Sequence, residues 1–146
     1  MSATRPRATI MRCFLAAFSL GIVGVLGTGC SVDAMLWGSD GSQVIETTER
    51  IIDAASEGDV DTYVCADSAP ELRDPEDWEG LSAEEPGVFT PEYWPEQAPL
   101  DPSWSINLSL PADRVNPGEE YPGDIFFRNT GTGLCLVAVA WWTVEE

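Results

Sequence analysis

The sequence predicts an α+β domain, with N-terminal helices packed on a C-terminal antiparallel, curved sheet. Three observations carry that expectation. Val44, Thr48, Ile51, Ile52 and Ala55 recur at helical spacing on one face. Residues 103–110, SWSINLSL, alternate cleanly, with Trp104, Ile106, Leu108 and Leu110 on one side and small or polar residues on the other. Residues 134–146, LCLVAVAWWTVEE, are apolar on both faces as far as Thr143, the pattern of a central strand. The chain has 146 residues, room for one domain.

The elements follow in chain order. Residues 1–12 carry Arg5, Arg7 and Arg12 and no acid, and Cys13 to Leu26 are apolar or small throughout. This is the charged and apolar layout of an export signal. The uncharged run continues to Val32, 20 residues in all, just long enough to span a bilayer, so a retained anchor is the rival reading. Gly21, Gly24, Gly27 and Gly29 make that run a poor helix.

The stretch Leu26-Gly27-Thr28-Gly29-Cys30 resembles the lipobox of bacterial lipoproteins. Gly27 stands where that family more often has Leu, Val or Ile. The resemblance implies a signal peptide over 1–29, cleavage before Cys30, and a diacylglycerol with palmitate-type acyl chains on the Cys30 thiol. It places the chain on the extracytoplasmic face of the cell membrane, with the membrane itself as a partner. Each buried methylene of such an anchor contributes about 0.8 kcal/mol, and two chains hold where one does not. The cysteine count then leaves Cys65 and Cys135 as an even pair in an oxidising compartment. They form either a disulfide closing roughly 70 residues or two buried free thiols.

Residues 30–42 read as the lipidated cysteine and a small-residue tether, with Met35 and Trp37 free to rest at the lipid interface. Ser42 caps a helix over 43–57, supported by Glu46 four residues before Arg50 and ended by Gly58. A second short turn runs from Asp59 to Cys65. Residues 66–102 hold seven prolines and eleven acids against one arginine, too much proline for long regular elements. Trp78, Leu81, Phe89, Tyr93, Trp94 and Leu100 make them too apolar for a disordered linker, so they read as an irregular cover laid on the sheet. The strand at 103–110, a turn at VNPGEEYP, a strand at DIFFR and a hairpin loop at NTGTG then lead into the last strand.

The run ETTERIIDAASEGDVDTYVC followed by this meander resembles the NTF2-like (cystatin-like) domains of actinobacterial lipoproteins. That resemblance implies a curved sheet around a long N-terminal helix, a cone-shaped cavity, and a cysteine after the first helices paired with one in a late strand, as Cys65 and Cys135 are placed. An alternative is an immunoglobulin-like β-sandwich, which VNPGEEYPGDIFFRNTGTG resembles. The helical start does not belong to it, and the chain ends too soon to finish it.

Charge bounds the partners. From Cys30 onward four arginines face 25 acidic residues, a formal charge of −21, with no Lys or His anywhere. Such a surface repels nucleic acid, so none is expected as partner. Without His or Lys the usual nucleophile–base sites are excluded, no catalytic residues are assigned, and the expectation is not an enzyme. Asp61 with Tyr63 is the one acid–base pair on offer. Glu84-Glu85 and Asp74/Glu76/Asp77 suit glycoside hydrolysis or calcium by residue type, but no spaced motif supports either. No metal or cofactor is expected. The aromatic residues remain. Trp78, Trp94, Trp104 and Trp142 are the candidate ligand-lining residues for a small apolar, glycan or protein partner, against the plainer reading that they fill a core. On a regular strand Trp141 and Trp142 face opposite ways, so one at most enters a cavity. A Trp-lined cavity favours a binding protein over a structural or interaction module. A buried acid of raised pKa with a Tyr in reach favours an enzyme.

Overall fold

The structure, a computed structural model, describes residues 32–146. The expected signal peptide over 1–29, with Cys13, the lipobox-like stretch and Cys30, lies outside the described residues. One long helix, α1 (Val32–Ser56), is followed by strands β1 (Ser82–Val88), β2 (Trp104–Ser109), β3 (Glu120–Thr130) and β4 (Gly133–Thr143). The strands form one antiparallel sheet in the order β1-β2-β3-β4. The fold is therefore α+β. With a single sheet among the described residues, the sandwich alternative is not the architecture.

The apolar stripe of α1 behaves as its spacing demands. Val44, Ile45, Ile51, Ile52 and Ala55 are buried against Ile106, Leu108, Ile125, Phe127 and Leu136 of the sheet. Thr48 is buried among them because its hydroxyl donates to the Val44 carbonyl at 2.8 Å. The opposite sheet face carries Phe126, Val137 and Ala138, covered by Phe89, Trp94 and the Cys65–Cys135 disulfide. The disulfide joins Cα atoms 4.9 Å apart and ties the turn after the helix to the last strand. The sheet is thus packed on both faces, by the helix and by a loop cover.

Four expectations are corrected. Residues 32–42 are not a tether: they are helical, and Gly41 and Ser42 are buried. Gly38 kinks the helix at φ 72°, ψ −178°, a conformation a side chain resists, and Trp37 before the kink packs on Gly41 after it. The short turn expected from Asp59 to Cys65 is there as a 3-10 turn, Asp61–Tyr63, but the expected N-terminal helices reduce to one, since α1 is the only α-helix among the described residues. The proline-rich stretch is not wholly irregular, because it contains β1. Pro86 fits there because β1 is an edge strand, and the exposed Glu84 and Glu85 fall in a register shift against β2. Finally, β4 is an edge strand, not a central one. It is apolar on both faces because helix and cover bury both. At one point its outer edge is also closed, where Val64 bridges Leu136 and the Cys65 N–H donates to the Leu136 carbonyl at 2.9 Å.

Candidate functional site

A hollow of about 480 Å³ is lined by Val139, Ala140, Trp141 and Trp142 of β4, by residues 93–97 of the cover, and by Glu71. Four consecutive β4 residues line it, so it lies along the open edge of that strand. This overturns the expectation for Trp141 and Trp142: both border the same hollow. Alternation separates two faces of a sheet, but at an edge strand side chains of either face can meet around the edge.

Each tryptophan is held differently. Trp94 packs edge-on against Phe126, ring centroids 5.0 Å apart, and Phe89 meets the same ring at 6.0 Å. The Trp141 indole N–H donates to the Glu71 carbonyl at 2.9 Å, and the Arg73 guanidinium lies 3.9 Å from the centre of its ring. Arg73 also pairs with Glu71 at 2.8 Å and Glu120 at 2.9 Å, which together hold its charge firmly on. Its backbone sits at φ 52°, a left-handed conformation costing on the order of 1 kcal/mol, which these contacts offset. Trp142 is 48% exposed. Its ring lies over Gly123, where any Cβ would collide with it, so glycine is required there by close approach.

The other two candidate lining residues sit elsewhere. Trp78 is 1% exposed in the helix-side core, its indole N–H donating to the Leu72 carbonyl at 2.8 Å. Trp104 packs half-buried against that same core from β2. The structure therefore brings Trp94 and Trp142 together and leaves Trp78 and Trp104 out, while Trp141 joins them. Asp61 and Tyr63 do not converge: Asp61 lines a hollow beside Cys65, and Tyr63 lines another with Arg50 and Asp53. Asp77 accepts the Asp74 N–H at 3.2 Å, a capping role at the 3-10 turn Pro75–Trp78. No group of three or more His, Cys, Asp or Glu among the described residues is placed to hold a metal ion.

The arginines are committed to the frame. Arg50 pairs with Glu46, Arg114 with Glu119 and Arg128 with Asp67. Hydrogen bonds from Arg128 and Arg114 hold Asp67 and Glu119 below the usual carboxylate range. The large excess of acid thus remains on the solvent side.

One residue that the sequence reading did not single out adjoins the hollow. Asp124 of β3 is 7% exposed. Its cross-strand neighbour Ala140 lines the hollow, as does Trp142, whose indole hydrogen-bonds to it. Burial pushes its carboxyl up to about 7, and the Trp142 hydrogen bond offsets only part of that. The signal in the sequence was Asp124 two residues before Phe126, an acid on the same strand face as a core aromatic. The folded state therefore holds this proton more tightly than the unfolded chain. Its stabilising contribution is complete below the unfolded value near 3.8 and is lost as pH rises through about 7. Asp124→Asn should remove that part of the slope and raise stability at pH 8 by roughly 1–2 kcal/mol. Urea midpoints from pH 5 to pH 8 measure it; parallel curves for both proteins would refute it.

No protein-family model, no curated protein and no solved structure matches the chain.

Proposed function

We propose that the chain is an extracytoplasmic envelope protein, anchored to the cell membrane by lipid on Cys30, whose NTF2-like (cystatin-like) domain binds a partner at the tryptophan-edged hollow and catalyses no reaction. The lipobox resemblance supports the anchor. A long helix followed by an antiparallel meander, with the turn after the helix stapled to the last strand, supports the domain class.

One observation carries the binding. Trp94, Trp141 and Trp142 line the hollow with Glu71 and Glu96, and no basic side chain lines it. Arg73 already occupies the Trp141 ring and the Glu71 carboxylate, which leaves the exposed Trp142 ring and the exposed Glu96 carboxylate for a partner. Aromatic face plus carboxylate suits a basic side chain of a partner protein. A sugar or small apolar ring would use the aromatic faces alone.

The test is a calorimetric titration with an arginine-rich peptide, a neutral oligosaccharide and a neutral aromatic compound. Peptide binding is expected, weakened by added salt. Trp142→Ala should cost roughly tenfold in affinity, the worth of one cation–π contact. No binding by any probe would leave a structural module of the envelope. Asp124 favours one further reading, an acid–base enzyme, because its carboxyl is buried beside the hollow and titrates near neutrality. The partner at hand is Trp142, which only donates, and not a Tyr. An enzyme would lose turnover in Asp124→Asn, whereas the binding site would keep its peptide.

A further inference from the structure

We infer that the first turn of α1, residues 32–37, is a membrane-contacting element that lies in the lipid interface beside the anchor. The inference rests on the lipid-anchor reading of Cys30 and adds a second contact to it.

Val32, Met35 and Leu36 are 69%, 79% and 68% exposed, and Trp37 follows at 38%. The spacing of the first three puts them on one helical face. Elsewhere on the described surface the exposed large hydrophobic residues are scattered; here four fall within six consecutive positions. On a chain this acidic, such a patch in water is anomalous.

Its position in the chain says what covers it. Met35 comes five residues after Cys30, within roughly 17 Å even if the backbone is fully extended. An acyl chain on Cys30 therefore holds the patch at the headgroup layer. Gly38 kinks α1 just after the turn, Trp37 packs on Gly41 beyond the kink, and the apolar stripe of the rest of α1 is already spent in the core. Asp33 lies within the turn and Asp40 just after it, and the one basic residue in α1, Arg50, comes ten residues after Asp40. Attraction to anionic lipid is absent, so the contact is apolar, made with acyl chains at the interface. A tryptophan at the end of the turn suits that depth, with its ring apolar and its N–H wet.

The experiment uses the full acylated chain in phosphatidylcholine vesicles whose acyl chains are brominated close to the headgroup. Bromine quenches only tryptophan within the interface. The wild type should be quenched, and Trp37→Phe should remove most of the effect. Met35→Ser with Leu36→Ser should cut the quenching of Trp37 by more than half, with the far-ultraviolet spectrum unchanged, since both side chains are exposed. Mass spectrometry of the same sample reads the acyl chains independently. Acyl chains present with quenching indifferent to Trp37→Phe would overturn the inference and leave the anchor standing. Quenching at Trp37 without acyl chains would support the turn and sink the anchor. If neither is found, both fall. Loss of self-association in the double serine variant, with no quenching in the wild type, would mean that a second copy covers the patch, and the inference is overturned.

Discussion

Reduction of the Cys65–Cys135 disulfide is expected to lower folding stability by about 4 kcal/mol, the chain-entropy value for a loop spanning 70 residues. A domain of this size holds only 5–15 kcal/mol in total, roughly, so the reduced form should be marginal. The position of the bond explains why it matters. Cys65 follows the last turn of the helical part, and Cys135 sits in β4, the strand that closes the sheet on the cover side. Without the bond, one backbone hydrogen bond, from Cys65 to Leu136, and the Val64 bridge hold the edge of β4 there. A formal charge of −21 from Cys30 onward pushes the parts outward, and low salt screens it least. The loss should therefore be largest at low ionic strength. Urea midpoints with and without reductant, at low and high salt, measure it. A midpoint indifferent to reductant would refute the role of the bond, and two alkylatable thiols in the native, unreduced protein would refute the bond itself.

Trp78→Ala is expected to cost about 3–5 kcal/mol, the range for truncating a fully buried large aromatic. Trp78 packs with α1 and the sheet core, and its indole N–H holds the Leu72 carbonyl. Leu72 lies between Glu71, which lines the hollow, and Arg73, which stacks on Trp141. The substitution should thus loosen the hollow as well as the core. Trp78→Phe, which keeps most of the packing and loses the hydrogen bond, should cost less in stability yet still weaken peptide binding. Trp104→Ala is the internal comparison. Trp104 is only half-buried, so its truncation should fall short of that of Trp78. A Trp78→Ala loss under about 1 kcal/mol would mean that the helix-side core does not depend on it.

The fates of the tryptophans show how far residue patterns reach. Trp104 was legible as a sheet-face residue because SWSINLSL alternates, and the helical stripe at 44–55 was legible for the same kind of reason. A short-range period reports which side of an element is apolar. Cys65 and Cys135, the two cysteines beyond Cys30, read as either a disulfide or two free thiols, and the structure has the disulfide. Trp78, Trp94 and Tyr93 share a stretch with no period at all. Nothing local distinguishes the one that ends under the helix from those that edge a hollow. Strand β1 was hidden likewise, because Pro86 and two glutamates look unlike a strand until an edge position and a register shift accommodate them.

By itself, then, the sequence determined an acidic α+β chain with one apolar helix stripe and a C-terminal meander, and it offered Cys65 and Cys135 as the pair to test. Tertiary structure alone decided the order of the strands, and the rest followed from that order. With β4 at the edge, Trp141 and Trp142 border one hollow instead of facing apart. With Asp124 buried beside the hollow, its carboxyl loses water and its pKa is pushed up to about 7. The physical reason is common to both. A side chain's polarity is local, but its burial depends on residues that arrive from elsewhere in the chain.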